Sequence, residues 1–107
     1  MNYTLIWSPV ALQDMEEIYD FYTIKNEKAA AKIYNGILDE VEVLKEHPFV
    51  GPIEPILQHR KKPYRSLVVS KGRFKVLYFV DNTTVYIAGV WNCKQDTEKI
   101  KQKYNSQ

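Results

Sequence analysis

Apolar positions in the first half of the chain recur at helical spacing. Ser8 and Pro9 predict the start of a helix, because a serine hydroxyl accepts from free first-turn N–H groups and proline suits the first helical position. Apolar residues follow three and four apart, at Leu12, Met15, Ile18, Tyr19 and Tyr22. A second helix begins at an Asn26 cap and stops at His47-Pro48, with a stripe of Ala30, Ile33, Ile37, Val41 and Leu44. The short link between the helices predicts an antiparallel hairpin.

Short runs of β-branched and aromatic residues predict four strands. One run, Tyr3–Trp7, precedes the first helix, and three runs at 64–70, 73–80 and 84–91 follow the second. Tight turns at Lys71-Gly72 and Asp81-Asn82 join the last three runs into a meander. We therefore expect an α+β fold of order β-α-α-β-β-β, with an antiparallel sheet packed on the helical hairpin. Residues 96–104 fit a short last helix from an Asp96 cap.

Length and composition place the chain among small globular proteins. Its 107 residues predict one domain spanning 1–107, and the single cysteine excludes a disulfide framework or a multi-cysteine zinc site. No apolar stretch approaches the roughly 20 residues that span a bilayer, so we expect a cytoplasmic protein without membrane contact. The two histidines lie far apart, and no phosphate-binding loop or HExxH motif is present. We expect no metal and no cofactor.

Charge is distributed unevenly along the chain. Residues 1–24 carry a net charge of −4, whereas residues 54–75 carry +6. Helical spacing predicts that Asp14, Glu16 and Glu17 face solvent, and Gly36 predicts a close contact between the helices. The basic segment is expected to attract a polyanion or an acidic peptide. The candidate residues for binding nucleic acid or a partner are Arg60, Lys61, Lys62, Arg65, Lys71, Arg73 and Tyr78.

Three cations of the meander are candidates for chemistry on a phosphate. Arg65 lies on the first meander strand, Lys75 on the second, and Lys94 just after the third. Side chains on neighbouring strands can converge on one spot, and the partly open face of the sheet is where we expect them. Gathered cations would stabilise a phosphorane-like transition state, contact a nucleic-acid backbone or bind an acidic peptide. Composition and spacing leave these alternatives open.

The order of several short motifs resembles the RelE/ParE superfamily of type II toxin–antitoxin toxins. The opening Tyr3-x-Leu5-x-Trp7-Ser8-Pro9-x-Ala11-x-x-Asp14 is similar to the start of these toxins. Further similar pieces are His47-Pro48-x-x-Gly51, Tyr64-Arg65-Ser66-Leu67, Gly72-Arg73-Phe74-x-Val76-Leu77-Tyr78 and Val90-Trp91. The resemblance runs from residue 3 to about residue 96, and it implies the same β-α-α-β-β-β fold.

The resemblance also implies a plasmid-stabilisation toxin that a cognate antitoxin neutralises, as a homodimer or as a heterotetramer with the antitoxin. RelE-like members cut mRNA on the ribosome, whereas ParE-like members poison DNA gyrase. Arg65 and Lys75 fall at basic positions of the RelE-like set, but Leu67 and Asn92 replace other members of that set. The resemblance therefore favours the ParE-like branch over an endoribonuclease with Arg65, Lys75 and Lys94 as catalytic residues. An inactive relative that binds nucleic acid or protein is the remaining alternative.

Overall fold

A computed structural model describes residues 2–57 and 62–94, which form two helices and a four-stranded sheet. The elements are β1 (Thr4–Trp7), α1 (Pro9–Thr23), α2 (Glu27–Val41), β2 (Arg65–Val69), β3 (Phe74–Asp81) and β4 (Thr84–Asn92). Short 3₁₀ turns cover Glu42–Lys45, Pro55–Leu57 and Ser70–Gly72. This architecture confirms the predicted α+β class and the order of the elements. The predicted helix at 96–104 lies outside the described residues.

Both predicted helix caps are present. The Ser8 hydroxyl accepts from the Ala11 N–H at 3.0 Å, and the Asn26 Oδ1 accepts from the Ala29 N–H at 3.1 Å. Each bond satisfies one of the backbone donors that a helix leaves unpaired at its start. The two caps thus set where α1 and α2 begin. The predicted close contact at Gly36 is wrong, since no atom of another described element lies within 4 Å of a Cβ placed there.

The sheet has the order β1-β4-β3-β2 and is mixed rather than wholly antiparallel. The pairs β2–β3 and β3–β4 are antiparallel, as the meander predicted. β1 pairs with β4 in parallel, with Thr4 opposite Thr84 and Trp7 opposite Ile87. Parallel pairing is possible here because a long crossover, which includes both helices, separates the two strands in sequence.

One extra residue interrupts the β3–β4 ladder. Tyr78 lies opposite Ile87, but Leu77 lies opposite Gly89, so Ala88 is the additional residue of β4. Such a bulge bends the strand and frees backbone groups for other partners. The Ser8 hydroxyl donates to the Ala88 carbonyl at 3.0 Å, which ties the start of α1 to this point of the sheet.

The two faces of the sheet carry two separate clusters of buried residues. The face under the helices holds the larger core, which includes Met15, Ile37, Val41, Leu44, Phe74, Val76, Tyr78, Val85 and Ile87. On the other face, Leu57 and Tyr64 pack with Leu77, Ala88 and Trp91. The segment that precedes β2 therefore covers part of the face that we expected to be open. Val68 and Ile6, on the same face, remain exposed, so the covering is partial.

Candidate functional site: dispersed cations and a groove beside α1

Arg65 is held by the loop that precedes β2. Its Nη1 donates to the Gly51 carbonyl at 2.8 Å and lies 3.4 Å from the Phe49 carbonyl. The guanidinium also lies 5.2 Å from the centre of the Phe49 ring, which is within the range of a cation–π contact. Arg65 therefore anchors residues 49–51 against the sheet through one nitrogen of its guanidinium and through its contact with the Phe49 ring.

Lys75 lies on the opposite face of the sheet from Arg65. Directly opposed residues of an antiparallel pair project to the same side, and successive residues alternate. Arg65 is opposite Tyr78 and Lys75 is opposite Val68, and the three-residue offset along each strand places the two cations on different sides. The expectation that Arg65 and Lys75 converge is therefore wrong.

The ammonium of Lys75 has a buried partner. Its Nζ lies 3.4 Å from Glu54 Oε2, and the Glu54 side chain is only 3% exposed. The same Nζ lies 5.9 Å from the centre of the Trp91 ring. A buried carboxylate needs a counter-charge, so Lys75 is a structural partner of Glu54.

The other predicted cations lie at two ends of the sheet. Lys62 pairs with Asp81 at 2.6 Å, near the turn between β3 and β4. Lys71 and Arg73 belong to the exposed connection between β2 and β3, and Lys94 follows β4 at that same end. The structure brings these last three cations to one end of the sheet. Arg60 and Lys61 lie outside the described residues.

Tyr78 is fully buried, and its side chain does not reach a binding surface. Its hydroxyl accepts from the Gly51 N–H at 2.9 Å. Burial raises the pKa of the Tyr78 hydroxyl above 10.0, and the hydrogen bond from Gly51 and the charge of Arg65 oppose this shift. Tyr78 thus helps to hold the same loop that Arg65 binds.

Asp14 is buried rather than exposed to solvent, so the expectation from helical spacing is wrong for this residue. Its Oδ2 accepts from the Val90 N–H at 2.9 Å. β1 ends opposite Ile87, so β4 continues beyond its neighbour and its outer edge needs other partners there. A signal for this burial was present in the spacing, since Asp14 is three residues after Ala11 and four before Ile18. Those two positions belong to the core-facing side of α1.

A groove of about 390 Å³ lies between α1 and this outer edge of β4. The groove is lined by residues of α1, of the start of β3 and of the end of β4, namely Asp14, Glu17, Ile18, Phe21, Tyr22, Phe74, Val90, Asn92 and Lys94. Phe21 is 59% exposed, and the Tyr22 ring meets Phe74 edge to face at 6.4 Å between centres. The groove is therefore largely apolar, with an acid on its helix wall and a base at the end of β4. No motif or charge pattern in the sequence pointed to it.

Two further kinds of feature are absent from the described part of the chain. Within residues 2–57 and 62–94, no group of three or more His, Cys, Asp or Glu side chains is placed to bind a metal ion. Neither described helix has the length and apolar character needed to cross a bilayer.

The fold was compared with the folds of solved structures. A chain of the chromosomal ParDE system from P. aeruginosa superposes with a TM-score of 0.71 and 22% identity, covering 84% of this chain and 95% of that one. A chain of the RelBE2 toxin–antitoxin complex from Mycobacterium tuberculosis gives a TM-score of 0.49 and 20% identity, covering 86% and 99%. The first of these likenesses shows that the two chains share a fold.

The sequence itself matches a family profile over most of its length. Residues 5–97 match the profile of the ParE toxin of the type II toxin–antitoxin system parDE. The chain therefore belongs to the ParE toxin family, within the RelE/ParE superfamily, and is a toxin of the type II toxin–antitoxin class. A comparison with curated protein sequences found no match.

Proposed function

We propose that this toxin acts on DNA gyrase in the cytoplasm and is neutralised by a cognate antitoxin. The match to the ParE profile supports this assignment over the RelE-like activity, as does the resemblance of the Arg65-Ser66-Leu67 and Gly72-Arg73-Phe74 pieces to the ParE-like branch. The proposal has two parts, a target and an inhibitor, and each has its own test.

The separation of Arg65 and Lys75 is the observation that carries the choice of target. Cleavage of a phosphodiester by side chains alone requires cations preorganised around one phosphate. Here Arg65 binds backbone carbonyls on one face, and Lys75 pairs with Glu54 on the other. This arrangement favours a toxin that acts by binding a protein target over one that cuts mRNA.

The target is tested by two assays on the same purified toxin. We expect the toxin to inhibit supercoiling of relaxed plasmid by gyrase. We also expect primer extension to find no new cuts in mRNA translated in its presence. Cleaved mRNA with normal supercoiling would refute the gyrase assignment and establish a ribosome-dependent endoribonuclease. Normal results in both assays would identify an inactive relative that only binds its partner.

The antitoxin is tested by co-expression of the toxin with the product of any short reading frame that is found beside its gene. Induction of the toxin alone should arrest growth, and co-expression should restore growth and yield a complex that survives gel filtration. A matched control is the same plasmid with a stop codon early in the neighbouring frame. Growth arrest that persists when both intact genes are expressed would refute this partner.

A further inference from the structure

Three cations at the end of the sheet where β2 joins β3 are not neutralised by the described part of the protein. Lys71, Arg73 and Lys94 are exposed, and none of them forms a salt bridge with a described residue. Lys62 and Lys75, by contrast, each pair with an acid. The three exposed charges are therefore available to an anionic partner.

The turn that carries Lys71 has an uncommon backbone conformation. Ser70 and Lys71 have φ angles of 54° and 55°, in the left-handed region that residues other than glycine rarely adopt, and Gly72 follows at 89°. A carboxylate oxygen of Glu40 on α2 accepts from the Ser70 N–H at 2.9 Å and ties the turn to the helix. The Arg73 N–H donates to the Ser70 carbonyl at 3.1 Å and closes the turn. The two cations of the turn thus project from a fixed backbone, and strain of this kind is concentrated at functional sites.

The surface around these cations fits a polyanion better than it fits a protein. None of the exposed large apolar side chains of the described residues lies in 70–73 or in 92–94. The centres of protein interfaces are rich in apolar and aromatic side chains and poor in lysine. A nucleic-acid backbone, in contrast, is bound mainly through charge, by lysine and arginine side chains on an open surface.

We propose that Lys71 and Arg73, together with Lys94, bind the phosphate backbone of duplex DNA while the toxin is bound to gyrase. The inference rests on the proposed function, since supercoiling requires gyrase to hold the DNA that these cations would contact. Each lysine or arginine placed on a phosphate releases condensed counterions, so this binding weakens with added salt and does not depend on base sequence. Contact with both components directs the toxin to gyrase that is engaged with DNA.

The contact is tested first on DNA alone, by fluorescence anisotropy of a labelled duplex titrated with full-length toxin at several salt concentrations. The double variant Lys71→Gln/Arg73→Gln should bind about tenfold more weakly than wild type, because two phosphate contacts are lost. The slope of log affinity against log salt should fall in magnitude by about 2 for the same reason. A second duplex of unrelated sequence should give the same values.

The matched control is Lys25→Gln/Lys28→Gln. It removes the same net charge from two exposed lysines. Lys28 lies about 18 Å from Glu40 along the axis of α2, and therefore far from the turn that Glu40 binds. The control should bind DNA as the wild type does. Lys94 is left intact in both variants because it also lines the groove beside α1.

The role of the fixed turn is tested by two substitutions of Glu40. Glu40→Gln and Glu40→Ala both remove the negative charge, but only glutamine keeps an oxygen that accepts from the Ser70 N–H. We expect Glu40→Ala to bind the duplex about threefold more weakly than Glu40→Gln, the effect of one net hydrogen bond. Equal binding by the two variants would overturn the role of the turn.

The contact is tested next in the presence of gyrase, from the toxin concentration that half-inhibits supercoiling. The Lys71→Gln/Arg73→Gln variant should require about tenfold more toxin than wild type, in line with its weaker hold on DNA. The Lys25→Gln/Lys28→Gln control should match wild type. Circular dichroism of each variant confirms that the fold is retained.

The two measurements separate this inference from the proposed function. Wild-type toxin that fails to inhibit supercoiling would refute the action on gyrase, whereas the titrations of DNA alone do not depend on gyrase. A Lys71→Gln/Arg73→Gln variant that binds DNA as tightly as the control, or that inhibits gyrase as well as wild type, would overturn the inference alone. Weaker inhibition by this variant, with no binding of DNA by wild type, would show a contact with gyrase itself and overturn DNA as the partner.

Discussion

Replacement of Gly51 by alanine should strongly destabilise the toxin. A Cβ at this position would lie 2.4 Å from the Ser66 carbonyl oxygen and 2.6 Å from the Tyr78 hydroxyl. The first of these atoms belongs to the backbone of β2 and cannot rotate away. The loop must therefore move outward by about 1 Å to restore ordinary contact distances. That movement breaks the bonds from the Gly51 N–H to Tyr78 and from Arg65 to the Gly51 carbonyl.

The size of the effect follows from the groups that lose their partners. A buried hydroxyl left without its partner costs about 1–3 kcal/mol, and forcing an extra methyl into a packed site costs about 1–3 kcal/mol. Together these predict a loss of about 3 kcal/mol in the free energy of unfolding for Gly51→Ala. For a domain of this size, that corresponds to a melting temperature lower by about 10–20 °C.

This loss is measured by urea denaturation, monitored by circular dichroism. Gly36→Ala is the matched control. Gly36 lies inside α2, and a Cβ added there would meet nothing within 4 Å, so Gly36→Ala should raise stability by about 1 kcal/mol. The same chemical change is thus expected to have opposite signs at the two glycines. A Gly51→Ala protein as stable as wild type would refute the assigned packing of the loop. Adding Tyr78→Phe to Gly51→Ala should recover part of the loss.

Three further outcomes follow from buried groups. Lys75→Met should lower the free energy of unfolding by about 3 kcal/mol, because it leaves Glu54 buried without its counter-charge. Adding Glu54→Gln should recover most of that loss in urea denaturation. A double variant that recovers nothing would contradict the pairing. Asp14→Ala should lower the free energy of unfolding by about 2 kcal/mol, because the buried Val90 N–H loses its acceptor. Glu16→Ala is the matched control, and it should change the free energy of unfolding by less than about 0.5 kcal/mol because Glu16 is exposed. Above about pH 10, Tyr78 ionises in the unfolded chain, whereas burial keeps it protonated in the folded protein. The stability of the wild type should therefore fall more steeply with rising pH than that of Tyr78→Phe. Urea midpoints that fall equally in the two proteins between about pH 9 and about pH 11 would contradict this.

Local signals predicted the elements of the fold well. The caps at Ser8 and Asn26 are present because a cap depends only on the residues of the first helical turn. The turn before β4 forms one residue later than predicted, with Asn82 at a φ of 56° and Thr84 opposite Asp81. The parallel pairing of β1 could not be predicted in this way, because residues far apart in sequence decide the direction of an edge strand.

The candidate site was predicted less well, although one part of its geometry could have been derived from the sequence. The turn predicted at Lys71-Gly72 already implies the observed register, so the opposite faces of Arg65 and Lys75 follow from strand alternation. In contrast, the partners Gly51 and Glu54 come from an irregular segment that has no periodicity to predict its path. The sequence pattern predicts which side chains lie on the sheet. It does not predict that Arg65 and Lys75 are already bound to Gly51 and Glu54, because those partners belong to the irregular segment.

The pairing of β1 with β4 also limits how early in synthesis the chain can complete its fold. Thr4 contacts a strand position 80 residues later in the chain, so the sheet cannot close until that late segment has been synthesised. Contacts of such long range are formed slowly because a large loop must be closed first. A newly made chain therefore passes through an interval in which the residues of both helices have been synthesised but the sheet that covers them has not closed.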